Sequence, residues 1–480
     1  MKLAPRLTSP QFQRSPSPLA SARLARRAQS NGCPVRDPTT SRSPSWPSWT
    51  RVAAAMNQAL PWIFPILALT TSIVIPLYAG LRRGRFYAIF SAIVLGLASV
   101  GGGLVFTRLD DWVPGQALPG LQAAFAYGMA ATSAHYASLV NARMRGPVFR
   151  ALISIPGQVF LASGFMATFW LLGLLVPRLL LWGFGAQTAL QWLAPLDTLP
   201  YAVGLVAAFT SPRLFSELVR LRLGEARPEN FQRIPMERHR RTTPASLAKR
   251  PLRVVQIADP HLGPWQSVTR LQKIVQGLVD RNPDLILLTG DFLTMESNAT
   301  EGALAEALAP LQKLPGRCFA IFGNHDHEAP DEVRAGLAAN GVRLLVDDAC
   351  TVQTEAGSVQ ILGADYVGRE RKPHLEALLG DHPRLPDHRR LLLLHDPSAF
   401  HDLPEDAVDL VFSGHTHGGQ MGLVSLGFNW TVLSRSRWPD HGHFAKGTNH
   451  LYVHRGTGFY GFPLRVGVPG EASLLELIWD

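Results

Sequence analysis

Long charge-free apolar runs fill the first part of the chain, and short aliphatic runs alternating with helical patterns fill the second. Trp62–Gly80 (WIFPILALTTSIVIPLYAG) and Tyr87–Phe106 (YAIFSAIVLGLASVGGGLVF) contain no Asp, Glu, Lys or Arg. Each approaches the ~20 residues that a membrane-spanning helix needs. Pro156–Pro177 (PGQVFLASGFMATFWLLGLLVP) is equally strong. Leu121–Val140 is weaker, with His135 inside it, and Leu190–Ser211 is interrupted by Pro195, Asp197 and Pro200. A bundle of four to five transmembrane helices is therefore expected within residues 56–212. The runs lack the amphipathic face that a soluble helical core would show.

From Pro251 the runs shorten to LRVVQIA, DLILLTG, CFAIFG, RLLLLH and DLVFSG. Separated by helical patterns, they predict an α/β domain over residues 251–480. Each run ends in a polar cluster: Asp259-Pro260-His261, Gly290-Asp291, Gly323-Asn324-His325-Asp326, His395-Asp396 and Gly414-His415-Thr416-His417. Ligands of open α/β sheets gather beyond the carboxyl ends of the strands. His415 and His417, two apart in an extended segment, address the same side, and the flanking glycines let the backbone turn and approach closely. Residues 213–250 read as a basic juxtamembrane linker. Leu214, Phe215, Leu218 and Leu221 offer a short interfacial helix, which Pro228, Pro235 and Pro244 keep from extending.

Charge refines this picture. The net charge is +10 over 480 residues, with nine Lys/Arg against one acid in residues 1–55 and ten against four in residues 211–250. The excess flanks the apolar region, where basic residues meet anionic head groups and set orientation. The expected partner is the lipid bilayer, and no nucleic acid is expected. Arg82, Arg83 and Arg85 follow the first run and Arg143, Arg145 and Arg150 the third, whereas Arg108 after the second faces Asp110 and Asp111. Positive loops lie inside. With five spans the α/β domain is cytoplasmic, as in a bacterial inner-membrane protein. The basic Ser/Pro-rich residues 1–55 conflict with that orientation. They read as a disordered tail, or as an extension upstream of a start at Met56. Cys33, Cys318 and Cys350 form neither a disulfide framework nor a zinc ribbon.

The clustered Asp, His and Asn, with no thiolate, suit two divalent ions such as Mn, Zn or Fe(II). A carboxylate such as Asp291 can bridge such a pair, which activates water and clamps a phosphoryl group. A nearby His can protonate the leaving group. The order D-x-H, GD, GNHD, H, GHTH resembles the calcineurin-like metallophosphoesterase superfamily across residues 251–480. That resemblance implies a four-layer α/β/β/α sandwich. It also implies one ion held by Asp259, His261, Asp291 and His417, and a second held by Asp291, Asn324, His395 and His415. His325 would act on the phosphate, with Asp326 orienting its ring. Thr294 stands where family members carry Asp or Tyr, which argues against a tyrosinate-ligated ferric centre.

The extension GHTHGGQ and the late segment RGTGFYGFPLRVGVPGEASLLEL resemble the membrane-spanning YkuE-like branch. That branch includes vertebrate transmembrane metallophosphoesterases and a chlamydial UDP-2,3-diacylglucosamine pyrophosphatase. It implies a membrane-bound phosphoesterase acting on a lipid-linked phosphate, as in lipid A biosynthesis. A tethered phosphatase or phosphodiesterase for soluble nucleotides or phosphoesters is the alternative. A non-catalytic membrane scaffold is disfavoured, because every expected ligand is present. His327, His374, His382, His388, His401, His441, His443, His450 and His454 are expected on the surface or in loops.

Overall fold

The computed structural model describes residues 49–224, 227–239 and 250–479. The tail expected over residues 1–55 lies outside the described residues up to position 48. The first half is helical: α1 (Trp49–Arg83), α2 (Arg85–Thr107), α3 (Leu118–Ser138), α4 (Pro147–Gly183), α5 (Gln187–Leu193) and α6 (Leu199–Thr210). Four helical stretches are long and apolar enough to cross a membrane: Asn57–Arg83, Arg85–Asp111, Pro147–Gly183 and Gln187–Thr210. The weaker run does form a helix, α3, packed on α4. Between α2 and α4 the backbones meet directly, since a methyl on Gly101 would lie 2.1 Å from the Gly164 carbonyl oxygen. Small residues allow this approach where lipid supplies no hydrophobic drive.

Asp197, which interrupts the last apolar stretch, sits in the turn between α5 and α6. It is buried between Arg178 at 2.5 Å and Arg108 at 3.2 Å, so the charge is paired rather than offered to lipid. At the opposite end the helices meet the second half of the chain. Arg83 reaches the Met295 carbonyl at 3.4 Å, Arg150 Nε donates to the Pro264 carbonyl at 3.2 Å, and the Arg465 amide donates to Ser211 Oγ at 2.8 Å.

Residues 214–224 and 227–239 are not a linker. They form β1 (Leu214–Phe215), β2 (Leu218–Arg222), β3 (Gln232–Arg233) and β4 (Glu237–His239). This corrects the juxtamembrane linker and interfacial helix expected over 213–250, of which residues 225–226 and 240–249 lie outside the described residues. Alternation explains β2: Val219 and Leu221 enter the core between the sheets, while Leu218 joins the outer core.

The strands continue with β5 (Leu252–Ile257), β6 (Leu285–Leu288), β7 (Cys318–Ala320), β8 (Arg343–Leu344), β9 (Asp348–Thr354) and β10 (Gly357–Gly363). Then come β11 (His388–Leu393), β12 (Leu410–Ser413), β13 (Gly442–Lys446), β14 (Asn449–Val453), β15 (Gly470–Glu471) and β16 (Leu474–Ile478). One seven-stranded sheet runs β4-β2-β16-β5-β6-β7-β8 and the other β3-β13-β14-β12-β11-β10-β9, while β1 pairs with β15.

The four-layer sandwich follows from period-two alternation. Leu391, Leu393, Leu410 and Phe412 point into the core between the sheets, and Leu392 and Val411 into an outer core. Helices α7 (Val268–Val279), α8 (Ala303–Leu308) and α9 (Pro330–Ala338) cover the first sheet, and α10 (Arg371–Asp381) covers the second. Parallel neighbours β5, β6 and β7, and likewise β11 and β12, bring their carboxyl ends together. All five polar clusters sit there.

Candidate metal centre

The turn after each strand fixes the site residues in an uncommon backbone conformation. Asp259 (φ 49°), His261 (φ 44°), Asp291 (φ 59°), His415 (φ 69°) and His417 (φ 51°) are all left-handed. Each such residue is unfavourable by about 1–2 kcal/mol, and such residues persist where the surroundings over-determine them, as at active sites. The glycines make the approach feasible: a methyl on Gly414 would lie 2.4 Å from Asp259 Oδ2.

Two groups of ligand atoms result, Asp259 with His261 and His417, and Asp291 with His395 and His415. Asp291 Oδ2 lies 3.4 Å from His261 Nε2 and 3.3 Å from His395 Nε2, so it stands between them. Asn324 Oδ1 is 3.2 Å from His395 Nε2 and completes the second group. Backbone carbonyls aim the rings. His395 Nδ1 meets Thr289 O at 2.7 Å and His261 Nδ1 meets Leu293 O at 3.2 Å, leaving each Nε2 turned to the centre.

The site fits divalent cations. Asp259 Oδ2, His261 Nε2 and His417 Nδ1 are buried without a hydrogen-bond partner, an arrangement that favours a cation. Burial pushes the Asp259 carboxyl up to about 7, with Asp291 reinforcing the shift. Burial opposes protonation of His395, but Asp291 outweighs it and raises that imidazole to about 10. These carboxylates and imidazoles face one another in a buried pocket, where a cation satisfies both.

One sequence expectation is corrected. Asp326 does not orient His325. Its Oδ2 accepts from the Asp291 amide at 2.7 Å and the Gly323 amide at 2.8 Å, and its Oδ1 from the Phe292 amide at 2.8 Å. It staples two ligand loops together. The partner of His325 is Glu328, with Nδ1 to Oε1 at 3.2 Å, and the other oxygen of Glu328 accepts from Tyr87 Oη and Asn298 Nδ2, each at 3.1 Å. Burial works against protonation of His325, but Glu328 and Asp291 outweigh it and hold its pKa above the ordinary value. Asp326→Asn would turn an NH2 group toward backbone N–H donors. It is expected to destabilise the fold by about 1–3 kcal/mol, whereas Glu328→Gln leaves thermal stability nearly unchanged. Unfolding midpoints of the two variants check this contrast.

Sequence reading also missed Tyr460, stacked 5.1 Å from the His261 ring and edge-on 5.0 Å from His325. It missed buried Arg465, which donates to the His417 carbonyl at 2.9 Å and the Gly458 carbonyl at 2.7 Å. Both lie in the glycine-rich segment RGTGFYGFPLRVG, whose close packing was the available signal. His441 and His454 lie in loops as expected but are buried, whereas His443 and His450 are buried within β13 and β14. His443 Nε2 and His450 Nδ1 meet across β13 and β14 at 2.9 Å.

Paired mixed sheets with buried carboxylate–imidazole groups at the strand ends define a metal-dependent phosphoester hydrolase. The chain belongs to the calcineurin-like phosphoesterase family, whose model matches residues 252–419. It is 30% identical to the uncharacterized metallophosphoesterase YkoQ of Bacillus subtilis, covering 48% of this chain and 85% of that one. It is 28% identical to the phosphodiesterase YaeI of Escherichia coli, over 48% and 83%. It is also 26% identical to the UDP-2,3-diacylglucosamine pyrophosphatase LpxG of Chlamydia trachomatis, over 48% and 84%.

Proposed function

We propose that this chain is a membrane-held phosphoesterase with a dinuclear centre that cleaves a phosphodiester or pyrophosphate bond in a lipid-linked substrate. A diphosphate-linked acyl sugar of the kind named for the chlamydial relative, UDP-2,3-diacylglucosamine, is the leading candidate. The observation that carries this reading is a cavity of about 60 Å³ between the helices and the metal centre. Phe90, His135 and Leu161 line it from the bundle, and His261, Glu296 and Tyr460 from the α/β domain. Within it His135 Nε2 stands 3.4 Å from Glu296 Oε1, while His135 Nδ1, Gln158 Oε1 and Trp265 Nε1 lack protein partners. Phe90, Leu139 and Leu161 give the bundle side apolar walls, interrupted by polar His135 and Gln158, and the candidate ligand His261 faces them from the α/β domain. This mixture suits the junction between acyl chain and head group.

In this reading Asp259, His261 and His417 would hold one divalent ion and Asn324, His395 and His415 the other, with Asp291 placed between the two groups. Two such ions supply charge stabilisation to the phosphoryl oxygens and lower the pKa of an attacking water. His325, held by Glu328, gives a proton to the leaving oxygen. The test compares hydrolysis of the acylated sugar nucleotide with that of its deacylated counterpart. The acylated form is expected to react with the lower KM. Equal rates on both, or good cleavage of simple phosphodiesters alone, would reject the lipid substrate.

The same arrangement supports a cytoplasmic α/β domain. Arg83, Arg150 and Arg213 all lie at the end of the bundle that meets the domain, the side that positive loops occupy. A reporter fused after residue 250 is expected to be active only in the cytoplasm, and activity only outside would reverse the orientation.

A further inference from the structure

The loop that carries His415 and His417 continues into residues 421–438 (MGLVSLGFNWTVLSRSRW), whose apolar side chains point outward. Leu423, Leu426, Phe428, Trp430 and Val432 are 41%, 69%, 60%, 48% and 50% exposed. Among the described residues beyond the helical bundle, these are the only large hydrophobics so exposed. The segment folds back on itself, the Leu423 amide donating to the Trp430 carbonyl at 2.9 Å and the Phe428 amide to the Leu423 carbonyl at 3.3 Å. This gathers these side chains locally, and exposed apolar clusters mark a surface that is covered in use.

Three observations say what covers it. First, the loop is tied to the membrane end of the molecule. The Gly422 amide donates to Val466 O and the Ser425 amide to Gly467 O, both at 2.9 Å. Val466 in turn packs in one cluster with Ile155, Val159 and Met166 of α4 and Ala208 of α6. Second, the segment has no acid and carries two exposed arginines, Arg435 and Arg437. Third, the Arg437 guanidinium lies 4.7 Å over the Trp438 ring. Aromatic rings with basic neighbours are the composition that settles at head-group level.

We propose that residues 421–438 form a membrane-dipping loop. Leu426, Phe428 and Trp430 enter the boundary of the acyl chains, and Arg435 and Arg437 rest on anionic lipid phosphates. The loop starts four residues after His417, so its insertion holds the rim of the metal centre against the bilayer. This rests on the membrane placement of the helices and on no assignment of substrate.

The experiment uses the full chain in nanodiscs of phosphatidylethanolamine and phosphatidylglycerol. A nitroxide is placed at Phe428→Cys in a Cys33→Ser, Cys350→Ser background; the remaining Cys318 is buried. A Glu355→Cys label, in the turn between β9 and β10, is the solvent control. Dissolved oxygen is expected to relax the residue-428 label more strongly than a water-soluble nickel chelate, at a depth of about 5–10 Å. The control label should show the reverse. Leu426→Asp should restore nickel access at residue 428. Full nickel access in the parent protein overturns the proposal. So does shielding that disappears, together with label–label broadening, when labelled chains are diluted with unlabelled ones, because a second copy would then be the occupant.

Discussion

Asp291→Ala is expected to strip the centre of metal and to lower turnover by at least about a thousandfold, ~4 kcal/mol of transition-state stabilisation. Loss of His415 or His417 should cost less. Each of those imidazoles belongs to one group of ligand atoms, whereas Asp291 Oδ2 lies within 3.4 Å of His261 Nε2 and 3.3 Å of His395 Nε2. The second oxygen has a different task. Asp291 Oδ1 accepts from the His325 amide at 2.9 Å, so the carboxylate also fixes the loop that presents His325. Alanine adds a backbone penalty at φ 59°, because Asp and Asn tolerate that conformation better. Asp291→Asn separates the two effects, since it keeps the local shape and removes the charge. Elemental analysis of the purified full chain should give two ions per wild-type molecule and fewer than one in either variant. Fully active wild-type protein with a single ion would sink the dinuclear reading.

The clustering of the candidate ligands was legible in the sequence because each sits at the end of its own aliphatic run, within a few residues of the strand that carries it. Once those runs share a sheet, the topology alone collects them. What the sequence concealed depends on partners far along the chain. After Leu218, Val219–Arg222 (VRLR) alternates apolar and basic residues, which fits an interfacial helix as well as a strand. The parallel pairing of Leu218–Arg222 with Leu474–Ile478 decides the matter, as tertiary context does for strands generally. The same holds for the buried histidines: nothing around His443 predicts that its Nε2 will meet His450 Nδ1 on the neighbouring strand at 2.9 Å. Thr294 shows a subtler case. Its hydroxyl donates to the Leu262 carbonyl at 2.8 Å, so it braces the first ligand loop, a role its spacing from Asp291 could not reveal. Glu328 was hidden because its motif neighbour Asp326 is the obvious carboxylate, and only the folded chain shows Asp326 turned to the backbone.

His325→Ala is expected to lower turnover by about 10²–10⁴ with metal content intact, since the ring contributes to neither group of ligand atoms. Glu328→Gln should fall between this variant and wild type. It keeps a side chain of the same shape near Nδ1 but removes the negative charge that favours the protonated ring. Tyr87→Phe should act more weakly in the same direction, because it removes one of the two donors to Glu328 Oε2 and leaves Asn298 in place. Two readouts distinguish positioning from general damage. In wild type the alkaline limb of kcat should lie above the ~6.5 of a free imidazole, and in Glu328→Gln it should move down. Losses should also grow along a series of aryl phosphodiesters of rising phenol pKa, because poor leaving groups depend most on the proton from His325. A uniform loss across that series, or loss of metal from His325→Ala, would refute the acid role. Tyr87 begins the second membrane helix, beside the Arg83 guanidinium that lies 4.5 Å from its ring. A measurable effect of Tyr87→Phe on the same pH limb would therefore show that the seating of the helix in the membrane reaches the catalytic proton through one hydroxyl and one carboxylate.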